Sequence, residues 1–361
     1  MKYLDEFRNA EKVRLLSRAL EDLPPRPFVF MEVCGTHTRS IFHHGLRSVF
    51  PSWVKHLSGP GCPVCVTPND VLDYAIALSL QKNVILVTFG DMFKVPGSYS
   101  SLEEARAKGG RIKIVYSPLD ALNLAERESS YKVVFLAVGF ETTAPLVAQT
   151  VLEARKRRIK NFFIISAHKL IPPALDALLS QGVNLDGFIL PGHVSTIIGR
   201  VPYLFLREKY NKGAVISGFE PLDILFSLRM LIQMREEKRA DVLNEYRRSV
   251  REEGNTRAKE IMDKVFKVRD SSWRGIGNIP LSGLELREEF EEFDAQKRIP
   301  LDLPPSREFP GCKCGEVLAG KITPLECPLF SRACTPRTPR GPCMVSIEGA
   351  CGIYYQYGER R

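Results

Sequence analysis

Nine cysteines, gathered in three places, are the residues of this 361-residue chain best able to do chemistry. Six of them, Cys312, Cys314, Cys327, Cys334, Cys343 and Cys351, fall in the last fifty residues. Within that set Cys312, Cys327, Cys334 and Cys351 are separated by 14, 6 and 16 residues, and prolines at 328, 336, 339 and 342 favour a coiling, non-helical backbone. Thiolates are the soft ligands that iron-sulfur clusters select, and such a backbone can wrap a cluster. Zinc is the main rival, but four-cysteine zinc sites usually pair ligands as C-x2-4-C, and this tail offers only the tighter Cys312/Cys314. Cys314 and Cys343 are then left over, either as inert buried thiols or as a dithiol beside the cluster. Cys314 could also replace Cys312 as the first ligand, since one residue separates them.

The other three cysteines stand at the ends of expected strands. Cys34, in MEVCGTHTRS, follows the apolar run FVFMEV and precedes a helix expected to begin near Thr36. In an open parallel sheet, ligands bind outside the carboxyl ends of strands, and a helix start there is expected to favour the thiolate that binds metal or attacks electrophiles. Cys62 and Cys65, in SGPGCPVCVTPND, form a C-x-x-C before another helix start, a pattern that reads as a dithiol/disulfide couple. With Cys34 and His37 the same pair could instead complete a Cys3His zinc site. Thr36, Asp91 (TFGDMFKVPGS), Glu141, Thr142 and Thr143 (GFETTAP), His168 (SAHK), and His193 and Ser195 (PGHVSTIIG) stand at analogous positions. Each alone could be a cap or turn former; as a set facing one cleft they suggest a site.

What must position them is a repeat of strands and helices. Residues 29–38 and 134–143 read VFMEVCGTHT and VFLAVGFETT, while SPLDALNLAER from Ser117 and EPLDILFSLRM from Glu220 share a Pro-Leu-Asp helix start at an offset of 103. VILVTFGD (84–91) and FILPGH (188–193) match between these anchors. The expected class is α/β: two duplicated parallel-sheet α/β domains, 27–129 and 130–238, facing a cleft. A third, helical and irregular iron-sulfur domain is expected from both chain ends, residues 1–26 with 239–361. TPNDVLDYAIALSLQ (67–81) predicts a helix with Thr67 as N-cap and Pro68 at its first position.

Hydrophobic residues make up 44% and charged residues 26%, ordinary values for a globular protein. The longest apolar run, around 133–140, is far short of a membrane span, and the N-terminus mixes acids and bases without the apolar region of a secretory signal. A cytoplasmic protein is expected, and in that compartment nine cysteines read as metal or redox chemistry rather than a disulfide framework. The formal charge of +9 is spread among interleaved acids, as in ARKRRIK and EYRRSVREE, which points away from nucleic acid and leaves room for an acidic protein partner. Neither a G-x-x-x-x-G-K-[ST] nor a G-x-G-x-x-G after a strand occurs, so no phosphate cradle for ATP or a dinucleotide is recognisable.

MEVCGTHT, SGPGCPVC, TFGDMFKVPG, VGFETTAP, PGHVSTIIG and the tail from CKCGEVLAG to ACGIYYQY together resemble the HypD family of hydrogenase maturation proteins over nearly the whole chain. The resemblance implies a scaffold on which the Fe(CN)2CO group of nickel-iron hydrogenases is assembled. It implies a complex with a HypC-like small chaperone, cyanide received from a HypE-like donor, and transient mononuclear iron held by Cys34. It further implies a [4Fe-4S] cluster on Cys312, Cys327, Cys334 and Cys351, with Cys314 and Cys343 as a redox pair, and a monomer before the partners bind. On this reading His37 positions or protonates the incoming group while Cys62 and Cys65 cycle between dithiol and disulfide. The protein would be a redox-active assembly scaffold more than a conventional turnover enzyme; a stand-alone iron-sulfur disulfide reductase and a zinc-stabilised interaction protein are the alternatives.

Overall fold

The computed structural model describes residues 5–358. Nine parallel strands form two sheets: β1 (Phe28–Glu32), β2 (Val54–Ser58), β3 (Val84–Thr88), β4 (Ile112–Ile114), β5 (Lys132–Gly139), β6 (Phe162–His168), β7 (Gly187–Pro191), β8 (Gly213–Ser217) and β9 (Val242–Asn244). Runs such as VILVT and GFILP are almost wholly apolar because helices cover both faces of each sheet, leaving β3 and β7 buried throughout. Both expected Pro-Leu-Asp starts are helices, Pro118–Arg127 and Pro221–Glu236, each closed by a reciprocal cap between the residue before proline and the aspartate.

The first sheet has the order β2-β1-β7-β8-β9 and the second β4-β3-β5-β6. Writing the chain as two four-strand repeats, β1–β4 and β5–β8, shows that each sheet takes two strands from each repeat. Replacing every strand of one repeat by its counterpart turns β2-β1-β7-β8 into β6-β5-β3-β4, the second sheet read from its other edge. The repeats are therefore intertwined, and the sheets do not follow the expected halves 27–129 and 130–238: β1 pairs with β7, and β3 with β5. The physical reason is that a strand-helix period fixes which element comes after each strand, whereas partner choice between distant strands leaves no trace in the period. Each sheet thus reverses its winding at a central pair, β1/β7 or β3/β5, and a crevice opens there at the carboxyl ends.

The expected helix 67–81 is also adjusted. Cys62 caps a separate short helix, Pro63–Val66, which Thr67 closes by donating to the Pro63 carbonyl at 2.8 Å, so the longer helix begins at Asn69 and runs to Ser79. Further on, the antiparallel hairpin β10 (Phe266–Trp273) and β11 (Gly277–Leu286) lies along β6, joined by the Lys169/Gly283 bridge. The helix Ala10–Glu21 packs on Pro221–Glu236, and the tail helix Ala350–Tyr357 packs on Gly35–His43. Residues 1–4 and 359–361, the extremities of the expected third unit, lie outside the described residues. Among the described residues no helix is long and apolar enough to cross a membrane.

Candidate functional site

Cys34 is the N-cap of helix Gly35–His43, in extended conformation directly after β1. Its N–H donates to Glu32 Oε2 at 2.9 Å, and its carbonyl accepts from the His37 and Thr38 amides at 2.9 and 3.2 Å. Gly61 lies so close that a Cβ there would meet the Cys34 nitrogen at 2.2 Å, which seats the Cys62–Cys65 turn against Cys34. Cys62 and Cys65 are buried and joined as a disulfide, with Cα atoms 5.3 Å apart.

Cys34 opens onto a cavity of about 450 Å³ that spans both switch points. Cys34, Thr36, Val194 and His193 line it from the first sheet, and Asp91, Gly139, Thr142 and Thr143 from the second; Pro63 and Val64 of the C-x-x-C turn complete one wall. Of the residues singled out at strand ends, Glu141, His168 and Ser195 do not line it. Glu141 Oε1 accepts from the Ile171 amide at 2.9 Å, His168 Nδ1 lies 3.3 Å from Ser166 Oγ, and Ser195 Oγ donates to the Pro191 carbonyl at 2.8 Å. All three are buried, and burial raises the Glu141 carboxyl to about 7 and lowers His168 to about 3.

His37 also stands back from the cavity. Its Nε2 is 2.9 Å from the Gly218 carbonyl and so carries the proton, its Nδ1 has no partner among the described residues, and its ring stacks on Phe219, which stacks in turn on His193. Burial pulls its pKa down to about 4, so near neutrality it is a neutral imidazole whose N–H is already engaged. That geometry suits positioning and leaves His37 poorly placed to protonate a guest. The Cys34 thiol departs from expectation as well. Burial, followed by the Glu348 and Glu32 carboxylates, pushes it up to about 12, outweighing the hydrogen bonds from Thr36 that favour the thiolate. The free cysteine is therefore a thiol; a cation bound beside it would reverse that balance.

Two acids escaped the sequence reading. Glu32, fully buried, binds the Cys34 amide through one oxygen and the Thr38 hydroxyl through the other, with His56 Nε2 at 3.6 Å. An acid ending the apolar run FVFME was its one visible signal. Glu348 lines the cavity and accepts from the Thr36 hydroxyl at 2.8 Å, linking the tail to the strand-end turn. Only its position three residues before Cys351 hinted at it.

In the tail, Cys312, Cys314, Cys327, Cys334 and Cys351 line one small cavity with Leu329, Phe330, Gly341 and Met344. Cys312 is partly exposed and the others are buried. The Cys312 and Cys314 sulfurs are 3.4 Å apart, and a Cβ on Gly341 would sit 2.7 Å from both, so the close approach requires glycine. The Arg340 amide donates to Cys334 Sγ at 3.3 Å. Cys343, fully buried, does not line this cavity, and Cys314 and Cys351 are the groups that most influence its thiol. Its turn, Pro342–Met344, packs on the helix Pro63–Val66 that carries Cys65. Among the described residues no three His, Cys, Asp or Glu side chains gather tightly enough to grip a single ion; the tail sulfurs surround a space instead. A soft, buried donor set around a glycine-cleared cavity fits a metal cluster.

Two parallel sheets meeting at a cysteine-bearing cleft, with a thiol-lined tail folded onto it, define an α/β protein whose clustered cysteines are compatible with a metal cluster. Comparison with known proteins specifies the class. The HypD family model, described as "Hydrogenase formation hypA family", matches residues 11–358. The chain is 44% identical to a hydrogenase maturation factor HypD2 of Bradyrhizobium diazoefficiens, covering 100% of this chain and 98% of the relative. It is 45% identical to the hydrogenase expression/formation protein HupD of Azotobacter chroococcum (100% and 98%) and 42% identical to the hydrogenase maturation factor HypD of Escherichia coli (100% and 99%). The chain belongs to the HypD family of hydrogenase maturation factors.

Proposed function

We propose that this chain is the cytoplasmic scaffold and redox partner on which the Fe(CN)2CO group of nickel-iron hydrogenases is assembled, in complex with a HypC-like chaperone and with cyanide delivered by a HypE-like donor. The supporting observation is the placement of one cysteine, Cys34, at the first sheet's switch point, in the cleft, against the Cys62–Cys65 turn and beneath the tail's Glu348.

In this reading iron is cargo and Cys34 is its ligand on the chain. A thiol held near 12 keeps its proton until the cation arrives, so capture releases one proton. Glu32 fixes the Cys34 backbone, and His37, braced by Gly218, buttresses His193 through Phe219. Reduced Cys62 and Cys65 supply the two electrons that cleave a carrier's S–CN bond: the carrier leaves as a thiol, cyanide is freed for iron, and the pair closes as the disulfide seen here. Cys312, Cys327, Cys334 and Cys351 would hold a [4Fe-4S] cluster, which when bound supplies electrons singly, and Cys314 with Cys343 would relay them toward the Pro63–Val66 helix.

Cys62→Ser is expected to abolish maturation while leaving cluster absorbance intact; loss of the absorbance would mean that the tail ligands are misassigned. The paired Cys62 and Cys65 beside the tail also support a second reading, a stand-alone disulfide reductase. It requires turnover on a disulfide substrate with no retained mononuclear iron.

A further inference from the structure

The loop that walls the tail cavity is strongly and one-sidedly charged. Between Glu326 and Glu348 the chain carries Arg332, Arg337 and Arg340 and no Asp or Glu. Leu329, Phe330, Cys334 and Gly341 of this stretch form the wall, while Arg332 and Arg337 are exposed, with no ion-pair partner among the described residues. Arg340 lies over the ring of Phe309, itself 39% exposed, at 4.9 Å. Phe309 in turn accepts, through its carbonyl, from the amide of Cys312 at 3.1 Å. Cys312 is the one partly exposed cysteine of the tail. The segment that walls the thiol cavity thus carries two exposed arginines, unpaired among the described residues, and an Arg340–Phe309 patch beside the partly exposed Cys312, where the nearby Glu308 is already paired with Arg274 at 2.9 Å.

We infer that this basic segment, with Arg332, Arg337 and Arg340 beside Phe309 and Cys312, is the docking surface for an acidic one-electron carrier protein. The inference rests on the tail being an iron-sulfur site. Such a site must be recharged from outside, and a transient donor needs fast, electrostatically steered encounter more than affinity. Each encounter passes one electron from the reduced carrier to the tail group through the Cys312 edge; no bond is made and no proton moves.

The test is stopped-flow reduction of the anaerobic, iron-loaded full chain by a reduced acidic [2Fe-2S] ferredoxin at several salt concentrations. In the wild type the rate should fall steeply with salt. The double variant Arg332→Glu, Arg337→Glu should be slower by on the order of tenfold or more at low salt and lose most of the salt dependence. At salt high enough to screen the surface charge, its reduction by dithionite, itself an anion, should match that of the wild type. The milder Arg332→Gln, Arg337→Gln pair should fall between, which covers misfolding of the reversed variant. Lys156→Glu with Lys160→Glu, exposed in the layer over the second sheet, should leave the rate as it is. Equal rates in wild type and both arginine variants, an equal loss from the lysine pair, or a wild type that dithionite reduces and ferredoxin does not, would overturn the docking surface. A wild type without iron and acid-labile sulfide would instead overturn the underlying cluster assignment.

Discussion

The cleft and the tail both gather sulfur, but opposite means hold it. Cys34 sits where a strand ends and a helix begins, its amide fixed by Glu32 and its backbone pressed by Gly61, so the fold sets the position of one thiol before any guest arrives. The tail cysteines lie on turns and short helices, and their nearest polar neighbours are largely one another. On the proposed function, the site for passing cargo is built into rigid elements, whereas the site for a resident group leans on the group for its shape.

The largest expected effect comes from that contrast. Cys334→Ser removes a buried wall thiol and should abolish cluster absorbance with its iron and sulfide. The segment from 312 to 357 should become protease-sensitive while amides of the two sheets stay protected from exchange. Equal loss of protection in β1 and β5 would break the distinction between the regions.

Next comes acid. His37 and His168 are buried and neutral, with folded values near 4 and 3 against an unfolded value near 6.5. At these two sites the unfolded chain binds protons first as pH falls, so their contribution to stability is present above about 6.5 and drains away below it, by on the order of a few kcal/mol by pH 4. Glu141, raised to about 7 by burial, works in the opposite sense and gains stability as pH falls toward 4.5. The histidine contribution is therefore read as a difference: between pH 7 and 4.5 the denaturant midpoint of His168→Gln should shift upward relative to that of the wild type. A smaller loss, about 1–3 kcal/mol, is expected for Gly61→Ala, whose methyl would collide with the Cys34 backbone. The melting temperature reads it, and the cluster spectrum should stay unchanged.

The smallest effect sharpens the electrostatics of the cleft. Glu348→Gln removes the leading charge that disfavours the Cys34 thiolate, so the thiol pKa should fall from about 12 toward its ordinary value. The pH profile of Cys34 alkylation, mapped by mass spectrometry, should move to lower pH. A profile that stays in place would assign the shift to burial with Glu32.

Much of this was legible in the sequence, and particular residues show why. Cys34, Asp91, Thr142, Thr143 and His193 were found because a run of apolar residues leading into a polar turn marks a strand end, and parallel sheets put such ends in one place. Both Pro-Leu-Asp helices were found because their caps are local. The intertwining of the repeats was not legible, since β1 chooses β7 across more than a hundred residues. Glu348 was missed for the same reason: its partner Thr36 is remote in sequence. The Cys34 thiol was misjudged because helix geometry is readable locally, whereas burial and two distant carboxylates are not.

The most direct test of the central claim is infrared spectroscopy of the anaerobically purified complex with the HypC-like partner, compared with the same complex carrying Cys34→Ala. The account predicts cyanide and carbon monoxide stretches in the first and none in the second, with the tail's cluster present in both. Persistence of the bands in Cys34→Ala would contradict the ligand assignment. Their absence from a wild-type complex with a full cluster would contradict the scaffold itself and favour the disulfide-reductase reading.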